Sequence, residues 1–293
     1  MLAVIPFPNI SPEIFSIDLG FFVFALRWYA LAYIVGILLA WRIALVGARR
    51  AGLWRGDAPI DGEGLDALLT WIIIGIIAGG RLGYVLFYQP AYYLSHPLEI
   101  PMIWTGGMSF HGGFAGVVIV SAIFAWRRKL PMLEVGDLIA ISVAPGLMLG
   151  RVANFINAEL WGRPTDAPWG VIFPGAEAQS CANIAGGLCA RHPSQLYEAA
   201  LEGLLLGALL LWLAFRRDWL KRPGQLIGVF VAGYGIARFI VEFYRLADQQ
   251  YITPDNPFGH VFAGLTMGQL LSTPMILAGL AIVLWARRRT PAP

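Results

Sequence analysis

Between Gly150 and Arg163 the chain reads Gly-Arg-Val-Ala-Asn-Phe-Ile-Asn-Ala-Glu-Leu-Trp-Gly-Arg, and its first half lies in an apolar stretch long enough to cross a bilayer. Arg151, Asn154, Asn157 and Glu159 therefore come where hydrocarbon makes polar groups costly, about 2.5–3.5 kcal/mol for a central charge. Groups kept at that cost face a cavity, a partner or a substrate. Arg27, Arg81 and Arg238 interrupt other apolar stretches in the same way, whereas Arg42 stands near a stretch end and can snorkel. Counting 1.5 Å per residue puts Arg81, Arg151 and Arg238 about 20–22 Å from one face of a core about 30 Å thick, and Arg27 about 9 Å from the other. Four cations are thus expected at one level. Tyr29, Tyr84, His111 and the stripe Tyr234, Arg238, Glu242 join that level, the last three recurring every fourth residue. A planar guanidinium fork matches phosphate in bidentate fashion, and at this depth the phosphate is a phospholipid headgroup.

Each residue alone has a plainer reading. Arg238 and Glu242 read equally as an intrahelical ion pair, and Arg81 as a donor to backbone carbonyls. His111 reads as a structural hydrogen-bonder, and the tyrosines as an interfacial belt. Convergence at one depth favours the cavity.

The elements that must hold these residues follow from composition. Of 293 residues 58% are hydrophobic and only 13% charged, against about 25% charged in soluble domains. Mean hydropathy is +0.65. Seven apolar stretches, near 21–46, 66–88, 111–126, 137–156, 196–215, 225–244 and 265–286, predict an all-α integral membrane protein with seven transmembrane helices. Thirteen of the 21 Lys and Arg residues fall in the loops near 47–64, 127–136 and 216–224 and in the tail from Arg287. The positive-inside rule then puts the N-terminus outside and the C-terminus in the cytoplasm. With no Lys or Arg in the first 20 residues, no cleavable signal peptide is expected.

A single polytopic domain over 1–293 is expected, with a small external cap at 157–195 rich in proline and glycine. Cys181 and Cys189, the only cysteines, both lie in that cap and read as either a disulfide or two thiols. Glycines at helix spacing (Gly75, Gly79 and Gly83; Gly112 and Gly116; Gly203 and Gly207) predict close helix–helix packing. The four histidines are scattered without His-x₃-His or Cys-x₂-Cys spacing, so no metal site is expected. No phosphate-cradling Gly-rich loop with Lys and Ser/Thr and no Gly-x-Ser-x-Gly elbow occurs, which argues against nucleotide hydrolysis and serine hydrolysis. The basic loops act as topology signals, and no nucleic-acid partner is expected.

The stretch from Gly150 to Arg163 resembles the signature of the bacterial prolipoprotein diacylglyceryl transferases, Gly-Arg-x-x-Asn-Phe-x-Asn-x-Glu-x-x-Gly. The resemblance continues in Gly107-Met108-Ser109-Phe110-His111-Gly112-Gly113 and in His192-Pro193-Ser194-Gln195-Leu196-Tyr197-Glu198. A fourth match is Tyr234-Gly235-x-x-Arg238-Phe239-x-x-Glu242-Phe243-x-Arg245. Ala153 and Ala158 stand where that family more often has glycine, and Phe114 replaces a common leucine. The resemblance implies a multi-pass enzyme of the bacterial inner membrane with its active site toward the periplasm. It would move diacylglycerol from phosphatidylglycerol to the lipobox cysteine thiol of a preprolipoprotein, forming a thioether and releasing glycerol phosphate without metal or cofactor.

On that basis Arg151 and Arg238 are expected to hold the phosphate, with Asn154 and Asn157 donating nearby. His111 is expected as general base or headgroup positioner, Tyr29 or Tyr234 as positioning groups, and Glu159 and Glu242 as carboxylates that hold arginines. Gly162, Arg81 and Tyr84 complete the expected substrate site. The competing class is a transporter or flippase for an anionic lipid or solute; it requires polar groups leading to both faces, whereas these cluster toward one.

Overall fold

The structure is a computed structural model in which residues 5–20, 23–181 and 188–289 are described. Eleven α-helices are formed there: α1 (Trp28–Arg49), α2 (Gly62–Phe87), α3 (Pro90–Ser95), α4 (Phe110–Arg127), α5 (Met132–Ser142), α6 (Ala144–Ile156), α7 (Ala176–Gln179), α8 (Ser194–Glu198), α9 (Leu206–Arg216), α10 (Gln225–Val241) and α11 (Met267–Arg289). A π-helical stretch, Ala199–Leu205, joins α8 to α9. Three two-stranded sheets complete the described residues: β1 (Ile5–Pro6) with β4 (Val171–Ile172), β2 (Glu13–Asp18) with β3 (Val23–Arg27), and β5 (His260–Phe262) with β6 (Leu265–Thr266).

Among the described residues five helical segments are long and apolar enough to cross a membrane: Trp28–Arg49, Gly62–Phe87, Met132–Ile156, Ser194–Arg216 and Met267–Arg289. Two shorter apolar helices, α4 and α10, occupy the other two expected positions. Ile74, Leu204 and Leu277 expose more than half their surface, as side chains facing lipid would. One boundary differs from expectation. The first helix begins at Trp28, because Val23–Arg27 pairs antiparallel with Glu13–Asp18. An unbroken apolar run does not distinguish strand from helix, so hydropathy merged the two elements. Arg27 thus precedes the helix, exposed and paired with Glu13 at 3.1 Å.

The chain divides into two compact units, residues 44–138 and residues 1–43 with 139–293. In the first, Asp61 caps α2 by accepting the Gly64 amide at 2.8 Å, and Ser109 caps α4 by accepting the Gly112 amide at 3.2 Å. Gly75, Gly79 and Gly83 of α2 meet Gly112 and Gly116 of α4 so closely that an added Cβ would strike the facing backbone. This is the close helix packing expected of that spacing.

In the second unit, Pro145 stands in the first turn of α6, and the helix axis breaks from α5 at Val143. Gly203 of the π stretch lies against Met148 of α6, and α10 packs on α11 where Gly228 meets Gly279 and Val283. Outside the helices, β1 pairs parallel with β4, and Phe7 and Phe155 pack on a core of Val171, Phe173 and Ala178. A Cys181–Cys189 disulfide closes this region and resolves the alternatives left by the sequence.

The Gly116 position yields a prediction. Gly116→Leu would force α4 off the Gly75 carbonyl, at the roughly 1–3 kcal/mol or more typical of overpacking. A clearly lowered thermal midpoint of the detergent-purified protein is expected; an unchanged midpoint would contradict this packing.

Candidate functional site

Glu198 ends α8 with no solvent exposure. Its Oε1 accepts hydrogen bonds from Arg238 at 3.0 Å and Arg245 at 2.8 Å, and its Oε2 lies 3.1 Å from Arg151 Nε. Arg238 also pairs with Glu242 at 2.8 Å, Arg245 Nε lies 3.8 Å from Glu242, and Arg151 Nε lies 3.8 Å from Glu202. Three guanidinium groups and three carboxyl groups thus form one network, centred on Glu198. The arginine side chains retain 16–20% exposure, while Glu198 and Glu202 have none. A ligand reaching this place meets cations, with the acids behind them.

Local structure explains the convergence. Glu198 and Glu202 are four residues apart and face one side of their helical segment. The π-helical turn between them is a distortion that recurs at functional sites. On α10, Tyr234, Arg238 and Glu242 form the stripe expected from their spacing, and Tyr234 is a hydrogen-bond neighbour of Arg151. Glu242 is fixed at the head of α11. Thr266 donates to Glu242 Oε1 at 3.1 Å, while Thr266 and Gln269 exchange side-chain and amide bonds in a capping box. The carboxyl group lies where a Cβ on Gly268 would stand, so a larger residue there would displace it.

The segment after Arg151 is held by polar contacts. Asn154, buried on α6, donates to Glu159 at 2.7 Å, so Glu159 orients an amide where an arginine was expected. Asn157 caps the C-terminus of α6, its amide bonded to the Ala153 carbonyl. Ala158 and Leu160 follow with φ of +52° and +57°, a region that disfavours side chains. Gly162 then threads between two segments: its amide donates to the His192 carbonyl, the Arg163 amide donates to the Tyr244 carbonyl, and a Cβ at 162 would strike both carbonyls. Arg163 Nε reaches the Arg245 carbonyl at 2.7 Å, tying this strap to the cluster. His192 Nδ1 lies 3.1 Å from the Tyr197 hydroxyl. Burial, and then Arg163, holds its pKa below the ordinary imidazole value, so the ring is neutral at neutral pH.

The other unit holds Arg81, Tyr84 and His111. Arg81 is buried and donates to the carbonyls of Ile100, Glu99, Gly106 and Gly107, which pins residues 99–107 against α2. Tyr84 stacks on Tyr88 and lies against Gly107. His111 stands exposed in the first turn of α4. Tyr29 belongs to the unit of the cluster and packs on Tyr33, with ring centroids 5.1 Å apart.

Residues 14–285 match the family profile described as prolipoprotein diacylglyceryl transferase. The chain belongs to that family. It is 62% identical over 292 residues to the phosphatidylglycerol–prolipoprotein diacylglyceryl transferase of Ruegeria pomeroyi, covering 98% of this chain and 99% of the relative. The Roseobacter denitrificans protein of the same name is 59% identical over the same shares. That of Methylocella silvestris is 49% identical, over 99% and 98% of the two chains.

Of the four arginines expected at one level, Arg151 and Arg238 share a carboxylate, while Arg27 pairs with Glu13 and Arg81 is taken up by carbonyls. The third cation of the cluster is Arg245, which stands just past the end of an apolar stretch and was not among the expected site residues. Glu198 and Glu202 were also missed, although two acids four apart in an apolar stretch carry the same cost signal as the arginines. Among the described residues no group of three His, Cys, Asp or Glu is placed to hold a metal ion.

Two predictions separate buried from exposed charge. Glu198→Ala removes the carboxylate that three guanidinium groups share and is expected to cost on the order of 3–5 kcal/mol, whereas Glu13→Ala, breaking the exposed Arg27 pair, stays within about 1 kcal/mol. Denaturation in detergent checks both, and equal effects would contradict the hub. Ala158→Gly, placing glycine at a positive φ, is expected to stabilise by about 0.5–1 kcal/mol. A lowered midpoint would refute the strain.

Proposed function

We propose that this chain transfers the diacylglyceryl group of phosphatidylglycerol to the lipobox cysteine of a preprolipoprotein, from the outer side of the bacterial inner membrane. The observation that carries the reading is the cluster of Arg151, Arg238 and Arg245, whose partly exposed side chains are backed by buried carboxylates. Such an array suits a phosphodiester in a low-dielectric setting. The names of the relatives supply the two substrates. Seven spans, with the N-terminus outside and residues 157–195 as an external cap on one polytopic domain, would put the cluster in the leaflet where a translocated lipobox would meet it.

The chemistry then follows. A cysteine thiol, pKa about 8.5, must lose its proton, because the thiolate is the nucleophile. The sulfur attacks the glyceryl carbon that bears the phosphoester oxygen. That C–O bond breaks, its electron pair stays on the phosphate oxygen, and glycerol phosphate leaves with one more negative charge. Arg151 and Arg238 stabilise this growing charge, with Asn154 and Asn157 as neighbouring donors. His111 accepts the thiol proton, while Tyr29 and Tyr234 position the reactants. Arg81, Tyr84, Glu159, Gly162 and Glu242 act by holding the surrounding backbone and guanidinium groups. The peptide supplies the nucleophile, so no metal or cofactor is needed.

Purified protein with phosphatidylglycerol and a lipobox peptide in detergent should add a diacylglyceryl mass to the cysteine. Arg151→Ala or Arg238→Ala should lower kcat/KM by about 10²-fold or more, the scale of losing one preorganised donor. His111→Gln should lose about 10²–10⁴-fold. No mass gain with a competent peptide would end the transferase reading, and near-normal turnover in both arginine variants would end the phosphate role.

A further inference from the structure

Glu202 takes no part in the chemistry just described, yet it is fully buried beside the cluster. Among the described residues neither carboxyl oxygen has a hydrogen-bond partner, and its ion pair is with Arg151 Nε at 3.8 Å. A buried polar group without hydrogen bonds is costly, so its presence calls for a reason.

The three arginines are held differently. Arg238 is gripped through both terminal nitrogens, one by Glu198 and the other by Glu242. Arg245 donates through one terminal nitrogen to Glu198, and its Nε lies 3.8 Å from Glu242. For Arg151 both carboxylates approach at Nε, Glu198 at 3.1 Å and Glu202 at 3.8 Å. Two carboxyls on that side turn the opposite, two-pronged edge of the guanidinium away from them. That edge presents two parallel N–H donors that fit a phosphate.

We propose that Glu202 is a positioning residue for lipid binding: with Glu198 it holds the Nε side of Arg151, so that the terminal nitrogens of Arg151 grip the phosphate in bidentate fashion. This rests on the phosphate-binding reading above. Glu202 itself stays behind the arginine and does not touch the lipid. Its effect therefore exists only while residue 151 has a fork to orient, and a lysine there removes the fork while keeping the charge.

The test is a double-mutant cycle on equilibrium affinity, which does not depend on turnover. Titration calorimetry of the full chain in detergent with short-chain phosphatidylglycerol gives Kd for wild type, Glu202→Gln, Arg151→Lys and the double variant. Glu202→Gln is expected to weaken binding about tenfold, the loss of one charge-assisted contact. Arg151→Lys should weaken it at least as much, and the double variant no further than Arg151→Lys alone. Glu202→Asp should bind better than Glu202→Gln when Arg151 is present and change nothing when combined with Arg151→Lys; it also serves if the glutamine variant does not fold. Multiplying losses, or wild-type affinity in Glu202→Gln, would overturn the proposal. Wild-type affinity in Arg151→Lys would instead overturn the underlying assignment of phosphate to Arg151.

Discussion

A carboxylate wholly removed from solvent can stay charged only if cations and hydrogen bonds replace the water it has lost. Glu198 meets that condition with three arginines from three places: Arg151 on α6, Arg238 on α10 and Arg245 just beyond it. Each arginine is in turn kept in an apolar setting by this carboxylate, so no member can be understood alone. The helices supply stiff supports and the glycine contacts supply closeness. Glu198 sets where those supports must meet.

The network also explains the irregular backbone around it. The π-helical stretch after Glu198 keeps a second acid on the side of the first. Ala158 and Leu160 take up positive φ where the chain leaves α6 and turns into the strap that passes Gly162. Arg163 bonds the Arg245 carbonyl. Irregular backbone of this kind is common where a scaffold carries a preorganised site.

Much of the scaffold was legible because hydropathy, length and glycine spacing act over many residues at once. The helix positions and the α2–α4 glycine contact follow from such sums. The site was legible in part. Arg151, Arg238 and Glu242 were visible as costly groups in apolar surroundings, and their family motifs supplied the reaction. Arg27 was misplaced because an apolar strand and the start of an apolar helix look alike, so its depth was counted along a helix that does not reach it. Arg245 stands in the family motif but carried no expected role, because it lies past the end of its apolar stretch, where position along the chain says nothing about return toward a neighbour. Glu198 and Glu202 carry the same cost signal, since burial penalises either sign alike, but their spacing alone does not say which cations they meet. Arg81 shows the converse: a buried arginine whose donors are spent on carbonyls, giving the same sequence signal for a different role.

The capping box at the head of α11 gives the final helix a standing its sequence does not advertise. A C-terminal apolar helix followed by arginines looks like a replaceable anchor. Here its first turn holds Glu242 through Thr266, and Glu242 holds Arg238 and Arg245. Exchanging this helix for a generic membrane anchor would keep the protein in the bilayer while releasing one side of the arginine cluster. Anchoring and charge alignment are, in this chain, the work of the same helix.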